Sequence, residues 1–166
     1  MTGLVTPKGG SRRVKVLAFG VTLRKGLRPQ ESLMKRRILL ADDEPSILRT
    51  LKTILEVNGF EIETAASGKE AISKLSAGAF HLVLTDMRME HDEAGYDVIQ
   101  AAKKTDYDPV VVVLTAFPLQ GIDGMAEAAS TVLVKPVNAA DLVHQIEMLL
   151  VQHEAKSTKH LDARDR

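Results

Sequence analysis

At 166 residues the chain has room for one domain of ordinary size plus tails, and hydrophobic residues make up 45% of it, enough for a real core. It contains no cysteine, which excludes a disulfide framework, thiolate chemistry and any cysteine metal cage, and favours an intracellular, cytoplasmic protein. Its 22 basic and 22 acidic residues cancel overall but not locally: residues 1–37 carry ten Lys or Arg against the single acid Glu31, leaving twelve basic and 21 acidic residues in 38–166.

The first 33 residues show no sustained periodicity and include Pro7, Gly9, Gly10, Gly20, Gly26 and Pro29, which predicts a basic extension over 1–34 with little structure of its own. Its apolar run from Val14 to Leu23 is about half the roughly 20 residues a spanning helix needs. Arg24 and Lys25 follow at once and no small-residue cleavage site is evident, so neither a membrane anchor nor an export signal is expected. Three readings of the extension stand: a stretch upstream of a natural start at Met34, a solvated tail, or a basic arm that neutralises phosphates. Nucleic acid is not an expected partner.

From Lys35 onward, strand and helix patterns alternate, which argues for a parallel sheet with crossover helices. Ile38 to Ala41 is an apolar first strand. Pro45 sits where a first helical turn tolerates it, and Ile47, Leu48, Leu51, Ile54 and Leu55 recur at helical spacing up to Asn58 and Gly59. Phe60 to Ala65 alternates apolar and acidic residues, as a half-exposed edge strand does. Ser67 and Glu70 make a capping box for a helix that closes near Gly78. His81 to Thr85 and Val110 to Leu114 are nearly continuous apolar runs, the mark of central strands covered on both faces.

Between those two strands, Tyr96 to Lys104 is read as a short helix. A weak Ala-rich helix is expected near Met125 to Ala129, and Thr131 to Val134 is the fifth strand. Asn138 caps a last helix bearing Leu142, Val143, Ile146, Leu149 and Leu150. The folded domain is therefore expected over 35–152, with a polar, fraying tail over 153–166.

In an open parallel sheet with helices on both faces, ligands collect beyond the carboxyl ends of the strands. Asp42 and Asp43 follow the first strand, Asp86 the third, Thr115 the fourth and Lys135 the fifth. Three carboxylates brought close together repel one another and call for a cation, and oxygen-only ligands suit a hard ion such as Mg2+. A carboxylate beside that ion can attack phosphorus to form an aspartyl phosphate, with the Thr115 hydroxyl and the Lys135 ammonium serving its oxygens.

The acidic pair in LLADDEPSI, the aspartate of HLVLTDMRM, the hydroxyl of VVVLTA and the Lys-Pro of LVKPV stand in one order and spacing. As a set they make residues 36–150 resemble the receiver domain of two-component response regulators. The resemblance implies a flavodoxin-like, doubly wound, five-stranded parallel sheet of order 2-1-3-4-5. It implies that Asp86 is the phosphorylated aspartate, Asp43 a direct Mg2+ ligand, Asp42 a direct or water-mediated one, and the backbone carbonyl of Arg88 a further ligand. Thr115 and Lys135 would contact the phosphoryl group, with Lys135–Pro136 cis. The implied donor is a sensor histidine kinase or phosphotransfer protein, and the output an unknown downstream protein. On this reading the chain is a switch that catalyses only its own phosphorylation and dephosphorylation.

Three departures from the family pattern bear on this reading. Met89 is followed by Glu90 where proline is common, in an acidic loop whose Glu90, Asp92 and Glu93 add negative charge near an incoming phosphate. Val132 stands where many members carry an aromatic switch residue. The segment after Thr115 is somewhat short and opens with Phe117-Pro118. These motivate a rival reading, a receiver-like interaction module that is never phosphorylated. An aspartate-nucleophile phosphatase is the weaker rival, because it needs a second acid where the chain has Arg88. His81, at a strand start, and His91, in the acidic loop, are read as ordinary polar residues.

Overall fold

The computed structural model describes residues 35–116 and 128–162, all within a unit that begins at Met34. The extension expected over 1–34 lies outside the described residues. So does most of the Ala-rich segment near Met125 to Ala129, of which only Ala128 and Ala129 are described, as a turn and a bend.

Five parallel strands run in the order β2-β1-β3-β4-β5: β1 Arg37–Ala41, β2 Glu61–Ala65, β3 Leu82–Asp86, β4 Val110–Thr115 and β5 Thr131–Val134. The described helices are α1 Pro45–Val57, α2 Gly68–Ala77, α3 Ala94–Lys103 and α4 Ala139–Asp162. Successive residues of a strand point to opposite faces, and the core splits accordingly. Leu39, Val83, Val111 and Val113 pack with α2 and α3 residues such as Leu75, Val98 and Ile99. Ile38, Leu40, Leu82, Leu84 and Val112 pack with Leu48 and Leu55 of α1 and Leu142 and Ile146 of α4. Both faces of β3 and β4 are covered, so the continuous apolar runs there are what burial on both sides requires.

Local signals set most helix ends. The Ser67 hydroxyl accepts the Glu70 N–H at 3.1 Å, and the Glu70 carboxylate reaches back to the Ala66 N–H at 2.9 Å, one residue before the position a standard capping box uses. Asn138 Oδ1 accepts the Ala140 N–H at 2.8 Å at the start of α4. Gly59, at φ 92°, takes the left-handed conformation after α1 that a side chain would strain.

Two expectations are corrected. Helix α3 begins at Ala94 rather than Tyr96, because the chain turns helical where Gly95 presses against the end of β3. Helix α4 runs to Asp162, so residues 153–162 are helix rather than a fraying tail. Glu154 pairs with Arg36 at 2.9 Å and His153 lies 3.6 Å from Asp108, while Ser157 and Thr158 donate to carbonyls one turn back. The Arg36 and Asp108 contacts bring residues 153 and 154 of α4 to the amino edge of the sheet, a long-range effect that residue pattern does not carry. No helix among the described residues is long and apolar enough to cross a membrane.

Candidate phosphoryl-transfer site

The site forms at the carboxyl edge of the sheet, where β1, β3, β4 and β5 end side by side. Register places Asp86 opposite Leu114 and Thr115 opposite Val134, so Asp86, Thr115 and Lys135 emerge from adjacent strands at one level. Asp42 is held by its backbone N–H, which donates to Ala65 O at 3.1 Å, and it is almost fully buried, 2% exposed. Its Oδ1 accepts the Glu44 N–H at 2.9 Å, fixing the turn into α1, while its Oδ2 accepts the Lys135 ammonium at 3.0 Å. Asp42 thus fixes the local turn with one oxygen and pairs with Lys135 through the other.

Lys135 Nζ also lies 3.2 Å from Asp86 Oδ1. It bridges two carboxylates that stand 44 residues apart in the chain and on different strands. One oxygen from each of Asp42, Asp43 and Asp86 lies within 4.8 Å of the other two. Three carboxylates against one ammonium leave two negative charges uncompensated, the complement of a divalent cation. The donors are all oxygen, and Mg2+ binds oxygens at about 2.1 Å, so ligands on opposite sides of one ion stand about 4.2 Å apart. The carboxylate set fits such an ion.

The charges act on one another through little water. Burial raises the Asp86 pKa above its ordinary value, with the Asp42 carboxylate adding to the shift and the Lys135 ammonium opposing it. Burial works against the charge of Lys135, but its hydrogen bond to Asp42 and the pull of Asp86 outweigh that and leave its pKa raised. Asp43 is exposed at the mouth. Thr115 is buried at 5% exposure, and its carbonyl accepts the Lys135 N–H at 2.7 Å, tying the ends of β4 and β5. The Lys135–Pro136 peptide is cis. Arg88 is exposed, with its guanidinium 3.8 Å from Asp92. His81 Nδ1 accepts the Arg37 N–H at 3.0 Å at the far edge of the sheet, away from this chemistry.

Two further residues shape the site through contacts that only the fold creates. A Cβ on Gly95 would fall 2.4 Å from Asp86 O and 2.6 Å from Met87 Cα, so the start of α3 rests directly on the backbone of the acceptor strand. Its N–H donates to Met87 O at 3.0 Å. The available signal was a glycine directly before a helical pattern. The second is Glu90. Its carboxylate accepts the Gly68 N–H at 2.9 Å and the Lys69 N–H at 3.1 Å, at the amino end of α2, and those backbone bonds lower its pKa against the opposing effect of burial. Glu90 is therefore directed at α2, where its carboxylate has backbone partners. Asp92 likewise faces Arg88. Val132 packs against the α2–α3 side of the core as an aliphatic residue.

Comparison with known proteins places the chain in a family. The family described as the response regulator receiver domain matches residues 38–147. The response regulator receiver protein CpdR of Brucella abortus is 32% identical over 118 residues, covering 70% of this chain and 98% of that protein. A CheY-like receiver domain from Methanospirillum hungatei superposes with a TM-score of 0.69 at 30% identity, over 74% of this chain and 99% of that one. The Thermotoga maritima response regulator TrrA, solved in complex with Mg2+ and BeF, gives a TM-score of 0.62 at 34% identity, over 69% and 98%. The chain spans about half the length, 50% and 53%, of other curated relatives that it matches.

Proposed function

The chain belongs to the response regulator receiver domain family, and from that premise we propose that it is a cytoplasmic, phosphorylation-dependent signalling switch whose acceptor is Asp86. The observation that carries this reading is the Lys135 ammonium lodged between Asp42 and Asp86 beside Asp43, a charge-unbalanced oxygen pocket at the ligand end of a parallel sheet. The receiver family is a signalling module rather than a conventional enzyme, so the chemistry proposed is confined to the protein's own aspartate.

Asp43 and Asp86, with Asp42 directly or through water and the Arg88 carbonyl, would hold Mg2+, which when bound neutralises phosphoryl oxygens. An Asp86 carboxylate oxygen forms the new O–P bond as the P–N bond to the phosphohistidine of a kinase or phosphotransfer protein breaks, the imidazole keeping the bonding pair. Lys135 neutralises one phosphoryl oxygen and the Thr115 hydroxyl donates to another. Water attacking the same phosphorus would reverse the modification. The new charge shifts an existing equilibrium of the surface around β4 and β5, which a downstream protein reads.

Incubation with acetyl phosphate and Mg2+, followed by intact mass and a phosphate-affinity gel, tests the assignment. One phosphoryl group is expected on the wild type and none on Asp86→Asn or in the presence of EDTA. An unlabelled wild type, or label persisting in Asp86→Asn, would sink it and leave the unphosphorylated interaction module standing.

A further inference from the structure

We infer that Glu90 is a positioning residue, a strut from the acceptor loop to α2 that holds the Arg88 main chain at the Mg2+ site. The inference deepens the phosphoacceptor reading of Asp86 and rests on it. Residues 87–94 leave β3 and must return to α3, and they are pinned at both ends. At the α3 end, Gly95 abuts the Asp86 carbonyl and Met87, and its N–H donates to Met87 O at 3.0 Å. Within the loop, the Met89 and Ala94 N–H groups donate to the His91 carbonyl at 3.4 and 3.2 Å, and the Met89 side chain is buried at 9% exposure. In the outer turn of the loop, the Glu90 carboxylate makes a long-range polar tie by accepting from both Gly68 and Lys69.

The fit at that tie is close. A Cβ at Gly68 would stand 3.1 Å from Glu90 Oε1, 3.1 Å from Ala94 O and 3.2 Å from Ala94 Cβ, so the start of α2 touches both the strut and the start of α3. Arg88 lies between the two anchors, two residues after Asp86 and two before Glu90. A carbonyl that ligates an ion needs its peptide plane fixed, and a loop held at only one end would leave that plane free to rotate. Two backbone N–H groups at a helix start aligned on one carboxylate make a directed bond of the charge-assisted kind.

Repulsion and bracing predict opposite signs. If Glu90 acts mainly as a charge against the phosphoryl donor, removing it speeds labelling; if it braces the loop, removing it slows labelling. The test compares wild type with Glu90→Ala, Glu90→Gln, Ser67→Ala and Glu93→Gln. Ser67→Ala removes the other side-chain cap of α2 without touching the acceptor loop, and Glu93→Gln removes a charge from the loop without touching the strut. The first measurement is amide hydrogen exchange of Met89, Ala94 and Gly95, which requires neither metal nor phosphate. Glu90→Ala is expected to speed exchange at these amides about tenfold, Glu90→Gln less because one acceptor oxygen remains, and Ser67→Ala and Glu93→Gln less than twofold.

The second measurement is Mg2+ affinity by titration, together with the rate of acetyl phosphate labelling at Mg2+ below saturation. Glu90→Ala is expected to weaken Mg2+ binding and slow labelling about tenfold, with labelling recovering at high Mg2+. Unchanged exchange in Glu90→Ala, equal effects of Glu90→Ala and Ser67→Ala, or faster labelling in Glu90→Ala would each overturn the strut. Failure of the wild type to accept a phosphoryl group would instead remove the parent reading, with hydrogen exchange still deciding whether Glu90 braces the loop.

Discussion

At the amino edge of the sheet one guanidinium, Arg37, meets the Glu61 and Glu63 carboxylates at 3.1 Å each and the Ala79 carbonyl at 3.0 Å, and lies 5.0 Å from the centre of the Phe80 ring. At the carboxyl edge one ammonium, Lys135, meets carboxylates that outnumber it. The amino-edge groups sit in water, with Arg37 at 35% exposure and its acids at 57% and 40%, whereas Asp42 and Asp86 are 2% and 14% exposed. Solvent screens the first set, so its imbalance costs little. Burial leaves Asp42 and Asp86 poorly screened, so two carboxylates against one ammonium keep a surplus negative charge that a cation or a chemical change would remove. Charge at one edge of this sheet trims the surface, and at the other it creates a demand for a ligand.

Lys135→Met is the largest way to break that contrast. It strands the buried Asp42 carboxylate, and in metal-free buffer the loss of stability is expected near about 3 kcal/mol, read by urea denaturation. Labelling of Asp86 should fall by about 100-fold as the phosphoryl oxygen loses its cation. Adding Asp42→Asn should recover much of the stability but not the labelling, which separates structural pairing from chemistry.

The pH dependence sharpens the contrast further. The folded-state pKa of Asp86 is raised, so its contribution to stability is full below the ordinary aspartate value of about 3.9 and is lost as pH rises through the folded value. Asp86→Asn should therefore be more stable than wild type at neutral pH without Mg2+, by on the order of 1 kcal/mol, and the gap should close on acidification. Lys135 is also raised, so its contribution is complete below about 10.4 and lost at higher pH. A stability profile in which Asp86→Asn parallels wild type from acid to neutral pH would refute the idea that the pocket stores repulsion.

Arg37→Met should have the smallest effect. Its ion pairs are exposed, so a loss of about 1 kcal/mol is expected in the same denaturation experiment. Acetyl phosphate labelling should stay within twofold of wild type. A labelling defect in Arg37→Met equal to that of Lys135→Met would erase the distinction between the two edges.

Much of this was legible in the chain because it is locally encoded. Apolar runs become central strands, Ser67 and Asn138 cap helices with their own side chains, and Asp42, Asp43, Asp86, Thr115 and Lys135 follow strands that must end on one side if the sheet is parallel. Boundaries that depend on distant partners are not encoded locally. Gly95 fits against β3 at the start of α3, and Arg36 and Asp108 lie beside residues 153 and 154 of α4.

The sequence by itself determined the order of strands and helices along the chain and the set of side chains at the ligand edge, since both follow from periodicity and from which residue comes next. Tertiary structure alone decided that Lys135 bridges Asp42 and Asp86, that nothing larger than glycine fits at position 95, and that Glu90 faces α2 instead of the acidic pocket. Charge and hydrogen-bonding capacity belong to a residue type. The partner that satisfies them is chosen by distance, and distances between remote segments exist only once the sheet has brought them together.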